Sequence, residues 1–375
     1  MKLHPHRAVT AALRAAPFFS SESLGPPAGC EPSVARWAER QRGAAFELIR
    51  EPRRITRTLP TRLDGEVHDR FREEQSAMTD PVFLACIPDA RVWGDPNVAV
   101  ITPDDAVLAE LSNVFGRPAD KHPVFRRRRL GPVRTLNGTS LLLAATEGRR
   151  YFHWMMDVLP RVKIVREHCS LSDFDHVITN PITSPFQRET LEAMGIDWDR
   201  VVETNSNYQV ECEELLVPSF PRGNGQIPEW SINFLRSTFG IEEPSETSQR
   251  IYISREGARR RRVRNEKEVA SLLRRRDFVI LRPSQHSVVE QARQMASATH
   301  VIAPHGGGLT NVIFCQLGTS ILEVFPSINI NPCFWLIAEV INAKYKYVTC
   351  YENSMPHNIK SFKVEIGNVK EFLDI

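Results

Sequence analysis

The chain has 375 residues, 42% of them hydrophobic and 25% charged, with a formal net charge of +3 at pH 7. That length exceeds one ordinary core and predicts two domains with additions. The composition is that of a globular protein, and no apolar run is long enough to cross a bilayer.

In chain order, residues 1–75 read as a helical and irregular arm, broken by Pro-rich stretches such as GPPAGCEP. Its first segment, MKLHPHRAVTAALRAAPFFSS, is basic and mildly apolar. Arg14 interrupts the apolar run and no small-residue cleavage site follows, so the segment is expected to stay on the chain. Peripheral contact with the inner face of the plasma membrane is the matching expectation. Seven cysteines without a CxxC pair argue against a disulfide framework and against a structural zinc site, and suit a reducing cytoplasm.

Between about 80 and 145, VFLAC, RVWG, NVAVIT and TSLLLAAT are short apolar or β-branched runs between turn residues, which predicts strands. YFHWMMDVLPRV, residues 151–162, then reads as a helix that is apolar except at His153, Asp157 and Arg161. Their i, i+4, i+8 spacing stacks them on one helical face. A core helix with one satisfied polar edge would show the same pattern, so the rest of the chain must decide.

From there strands and helices alternate. DHVITN is a strand, and Ser184 with Gln187 has capping-box spacing at the start of a helix. RVVETN and ELLVPSF are further strands, and PEWSINFLRSTFG is a helix closed by Gly240. The polar stretch IEEPSETSQ (241–249) is the expected linker. The pattern then restarts with strand RIYISR, a helix from Asn265, strand DFVILRP, a helix capped by Ser287 and Glu290, strand HVIAP and strand SILEVFP. This is βαβ arithmetic. The predicted fold is α/β, with two Rossmann-like domains facing a cleft and a β-rich segment before the first. The expected boundaries are 1–75 for the arm, 76–245 for the first domain and 246–375 for the second, with ligand at the carboxyl ends of the strands.

HGGGLTN follows strand HVIAP directly. Gly306, Gly307 and Gly308 allow a ligand to approach the backbone. A helix N-terminus there presents free N–H groups to an anion, and His305, Thr310 and Asn311 add side chains, so the loop suits a phosphate or pyrophosphate. The GxGxxG fingerprint fails at its third glycine, where Asn311 stands. The HGGG loop of lipase-like hydrolases needs a downstream GxSxG, which the chain lacks. Glu323 lies among apolar neighbours in the next strand and is placed to accept ribose hydroxyls.

SREGARRRRVRNE supplies Arg255, Arg261 and Asn265 at the same predicted edge. Guanidinium is planar, permanently charged and bidentate toward phosphates. The arginine runs 126–129, 259–262 and 274–276 suit an anionic partner. No zinc finger, RNP aromatic motif or helix-turn-helix accompanies them, so nucleic acid is not the expected partner. Asp173-Phe174-Asp175 and Asp197-Trp198-Asp199 match the DxD of metal-dependent transferases. Both sit just before short strands, where turn chemistry explains them, and no metal ligand is assigned.

Taken in order, His153-Trp154-Met155-Met156-Asp157-Val158-Leu159-Pro160-Arg161, Arg255 through Arg261 to Asn265-Glu266, and His305-Gly306-Gly307-Gly308-Leu309-Thr310-Asn311 resemble the three motifs of glycosyltransferase family 61 across about residues 80–350. Gly307 replaces the usual alanine, and Arg150 stands where asparagine is common. The resemblance implies a GT-B architecture and an inverting, metal-independent glycosyltransferase without cofactor. Its donor would be a nucleotide-sugar, often a UDP-sugar, and its acceptor a hydroxyl of a glycan or lipid-linked glycan. In the bacterial branch this serves capsular or surface polysaccharide biosynthesis in the cytoplasm. Inversion needs a base on the acceptor hydroxyl and a charge sink for the departing diphosphate. Asp157 is one candidate base, fixed by His153 or Arg161, and His153 oriented by Asp157 is the other. Arg161 and Trp154 support the acceptor side. Arg255, Arg261, Asn265, the His305–Asn311 loop and Glu323 hold the donor. The rival reading is a non-catalytic sugar-nucleotide or polyanion-binding protein.

Overall fold

The computed structural model describes residues 19–242, 247–326, 330–350 and 361–374. The chain divides into two units, one of Met1–Pro52 with Asp80–Asn224, the other of Arg53–Thr79 with Gly225–Ile375. Residues of the expected arm are shared between the two units. Strands Gly29–Glu31 and Ala45–Arg50 and helix Val34–Arg40 go to the first, and Arg54–Thr56, Thr61–Arg62 and Asp69–Glu73 to the second. The described part of the arm, residues 19–75, is therefore not predominantly helical. Ala45–Arg50 is only half-buried, and short edge strands with one solvent face carry too few apolar residues to announce themselves.

The first unit is built on a ten-stranded mixed sheet. Its order is Val201–Glu203, His176–Thr179, Pro132–Leu142, Gln209–Pro218, Val82–Trp93, Ala99–Ile101, Ala106–Leu108, Gly29–Glu31, with Phe19–Ser23 and Ala45–Arg50 attached to Pro132–Leu142 and Val82–Trp93. The first four strands are mutually parallel, but Val82–Trp93 pairs antiparallel with Gln209–Pro218 over its length. The expected Rossmann-like half is thus a four-stranded parallel segment of a larger mixed sheet. VFLAC and RVWG are one twelve-residue strand, Val82–Trp93, buried along most of its length. Asp89 takes a positive φ of 49° inside it, a left-handed conformation that aspartate tolerates better than most residues.

His122 is fully buried in this unit. Its Nδ1 accepts the Val124 amide at 3.1 Å, capping the turn Pro123–Arg126. Burial lowers its pKa to about 4. The unfolded imidazole, near pKa ~6.5, then takes up a proton that the folded one refuses. The stabilising contribution is full above about pH 6.5 and is lost as pH falls toward about 4, a change of at most about 3 kcal/mol. Urea midpoints should therefore fall more steeply from pH 7 to pH 4.5 in the native chain than in His122→Asn. Parallel slopes would contradict this.

The second unit carries a six-stranded sheet in the order Phe278–Leu281, Gln249–Ile253, Ala298–Pro304, Ser320–Pro326, Lys344–Cys350, Thr61–Arg62. Every neighbouring pair is parallel. Counting strands from residue 249 gives the doubly wound order 2-1-3-4-5, which reverses between Gln249–Ile253 and Ala298–Pro304. The carboxyl ends at that reversal are Ser254-Arg255 and His305-Gly306. The capping boxes expected at Ser184/Gln187 and Ser287/Glu290 are both formed. Part of the expected linker, 243–246, lies outside the described residues, as does the basic segment 1–18 with its expected membrane contact. Among the described residues no helix is long and apolar enough to cross a membrane.

Candidate active site

In the first unit, YFHWMMDVLPRV is not one continuous α-helix. A single turn, Tyr151–His153, passes into a π-helical turn, Trp154–Val158, and Arg161–Arg166 resumes the α-helix. The Leu159 amide reaches back five residues to the Trp154 carbonyl at 3.0 Å. Pro160 has no N–H to offer the ladder, and such widened turns recur at functional sites.

The extra residue in the turn changes what the three polar side chains meet. His153 and Asp157 stay together, Nδ1 to Oδ2 at 2.7 Å. Arg161 is carried into the core. Its Nε and Nη2 donate to the Pro218 carbonyl at 3.0 and 2.6 Å, and its Nη1 to the Ala144 carbonyl at 2.7 Å. It makes no hydrogen bond to Asp157 among the contacts described and instead fastens two strand ends. Burial lowers its pKa to about 9, against the pull of the Asp157 charge, so the guanidinium remains cationic at neutral pH.

The arginine that does hold Asp157 is Arg222. Its Nε lies 2.6 Å from Oδ1 and its Nη2 3.5 Å from Oδ2. Burial raises the pKa of Asp157, but the Arg222 charge and the His153 hydrogen bond outweigh it, and the net shift is downward. A carboxylate so held is a weak base. His153 keeps 19% of its side chain exposed, and with Nδ1 on Asp157 its Nε2 is the ring nitrogen left to meet a substrate. Trp154 is fully buried, its indole N–H on the Thr190 hydroxyl at 2.7 Å. It locks the turn to helix Pro185–Ala193 and offers no surface to an acceptor.

Arg222 escaped the sequence reading. The available signal was a lone arginine in SFPRGNG, just past the carboxyl end of a buried strand, where α/β sheets place their ligands.

In the second unit, the Arg255 guanidinium is fixed by backbone carbonyls, Nε to Arg261 at 3.0 Å and Nη2 to Arg260 at 2.7 Å. Burial and the neighbouring Arg261 charge lower its pKa to about 10, which leaves it charged. A Cβ at Gly306 would lie 1.6 Å from Arg255 Nη1, so the guanidinium lies directly on the glycine. Glu266 ties the strand end to the next helix by accepting the Arg255 amide at 2.8 Å and the Ser254 hydroxyl at 2.9 Å. Gly307 and Gly308 remain partly exposed. A Cβ at Gly308 would come within 3.1 Å of Ile253.

Six of the residues expected to hold the donor make contacts within the protein. Glu323 is fully buried, with one oxygen on His305 Nδ1 and the other on the Tyr345 hydroxyl. It lies in a strand buried along nearly its whole length. Asn311 is fully buried with its amide on Gln291 at 2.6 Å. Asn265 exchanges two hydrogen bonds of 2.9 Å with the backbone of Val364. Thr310 is fully buried. His305 stacks on Phe325 with centroids 4.9 Å apart, and Arg261 provides a carbonyl to Arg255.

Three of the DxD aspartates have partners within the protein. Asp173 closes the capping box of Leu171–Asp173, Asp175 accepts the Thr139 amide at 3.0 Å, and Asp197 faces Arg200 at 3.9 Å. Among the described residues no three His, Cys, Asp or Glu side chains are grouped to hold a metal ion.

Residues 151–322 match the family model described as Glycosyltransferase 61. The matched stretch contains His153, Asp157 and Arg222 as well as Arg255 and Gly306. No curated protein matches the chain.

Proposed function

The chain belongs to glycosyltransferase family 61 over residues 151–322, and on that premise we propose that it transfers a sugar from a nucleotide-sugar to a glycan hydroxyl with inversion and without a metal. The observation that carries this reading is the line Arg222–Asp157–His153. Arg222 keeps Asp157 ionised, Asp157 holds His153 by Nδ1, and Nε2 is left to take the acceptor proton. The acceptor oxygen forms a bond to the anomeric carbon as the bond from that carbon to the phosphate oxygen breaks. The proton passes to His153 Nε2, and the electron pair leaves with the nucleoside diphosphate.

Arg255 is the proposed anchor for the diphosphate. A charged guanidinium held by carbonyls against a glycine, at the point where the strand order reverses, meets developing phosphate charge without reorganising. His305, held by Glu323, and the Gly306–Gly308 backbone border the same strand end. UDP is the proposed nucleotide, and synthesis of a capsular or surface polysaccharide in the cytoplasm is the proposed setting.

The test is nucleotide release by purified protein from UDP-, GDP-, CMP- and TDP-sugars, with and without EDTA. Release from one nucleotide class that survives EDTA is expected. Release abolished by EDTA and restored by Mn²⁺ would contradict metal independence, and neither binding nor release with any donor would contradict the transfer.

A further inference from the structure

Phe115 is 43% exposed, and a single exposed apolar side chain ordinarily calls for no explanation. Its setting is unusual. Its ring packs against the His153 ring with centroids 4.9 Å apart, and the Arg222 guanidinium lies 6.0 Å from its centroid. It therefore lies against the imidazole of the proposed base, with the guanidinium that holds Asp157 over its ring. It also borders a narrow recess lined by Asn113, Thr146, Asp157 and Arg222. The recess has room for about one hydroxyl-sized group and not for a ring.

We propose that Phe115 is the platform on which a pyranose ring of the acceptor stacks, with one of its hydroxyls entering the recess. The inference rests on the glycosyl-transfer reading and adds the acceptor class to it. An aromatic face carries negative potential, and the C–H bonds of one face of a pyranose present positive edges to it. The recess favours a neutral hydroxyl over an anion, because the Arg222 charge is already matched by Asp157 at 2.6 Å. The Asn113 amide and the Asp157 carboxylate retain capacity to bond a hydroxyl. With the His153 ring against one face of Phe115, the pyranose takes the exposed face.

Saturation-transfer NMR with the methyl α- and β-pyranosides of glucose, galactose and mannose tests this on the full chain, in the native protein, Phe115→Ala and Phe115→Trp. At least one pyranoside is expected to bind the native protein and Phe115→Trp through the protons of one ring face. Phe115→Ala should bind it about tenfold more weakly. Equal binding to Phe115→Ala and the native protein, or no binding of any pyranoside to the native protein, would overturn the platform. Phe115-dependent binding in a protein that turns over no nucleotide-sugar would uphold the platform and overturn the transfer reading, so the two fail separately.

Discussion

Replacing His153 with glutamine is expected to lower kcat for transfer by about 10²- to 10⁴-fold, the usual contribution of a positioned general base, while nucleotide affinity changes little. Glutamine retains a polar group near Asp157 and lets the buried Asp157–Arg222 pair stand, so the fold is barely affected. Asp157→Asn is the less clean change. It leaves Arg222, whose side chain is only 6% exposed, without its counter-charge, and breaking such a buried pair costs about 3–5 kcal/mol. Loss of turnover in Asp157→Asn would therefore mix stability with chemistry. The two base assignments separate on His153→Gln. If Asp157 were the base and His153 only its support, the variant would keep most of its rate. A decrease of less than about tenfold would shift the assignment to Asp157.

Gly306→Ala is expected to weaken nucleotide binding by tenfold or more, through Arg255. The φ of Gly306 is 166°, extended backbone open to any residue, so strain is not the cause. The cause is contact, since an added Cβ would lie 2.6 Å from Arg255 Cζ. The guanidinium must leave its carbonyl partners to make room. Titration calorimetry with the nucleotide on Gly306→Ala, Arg255→Ala and the double variant checks this. Residues acting through one contact are not additive, so the double variant should bind no worse than Arg255→Ala. Full additivity would mean that Gly306 matters for another reason.

The second unit was largely legible in the sequence because its information is local. RIYIS, FVIL, HVIAP and ILEVF are short apolar runs of the kind that parallel, doubly covered strands require, and the capping pair at Ser287/Glu290 marks a helix start within four residues. The first unit was less legible. That Val82–Trp93 lies antiparallel to Gln209–Pro218 depends on pairing across more than a hundred residues, which no window contains. The helical stripe at His153, Asp157 and Arg161 assumes a period of 3.6. The π-helical turn shifts that period, so the His153–Asp157 contact survives and Arg161 goes to the Pro218 and Ala144 carbonyls. Glu323 stands out in the sequence as a carboxylate among apolar neighbours, which suggests a ribose contact. Its partners, His305 and Tyr345, come from adjoining strands, and only their pairing shows that the carboxylate is an internal fastener.

The most direct measurement is the anomeric configuration of the first product, read from the one-bond and vicinal couplings of its anomeric proton in ¹H NMR. A single displacement with His153 taking the proton predicts inversion relative to the nucleotide-sugar. A product that retains the donor configuration would contradict it.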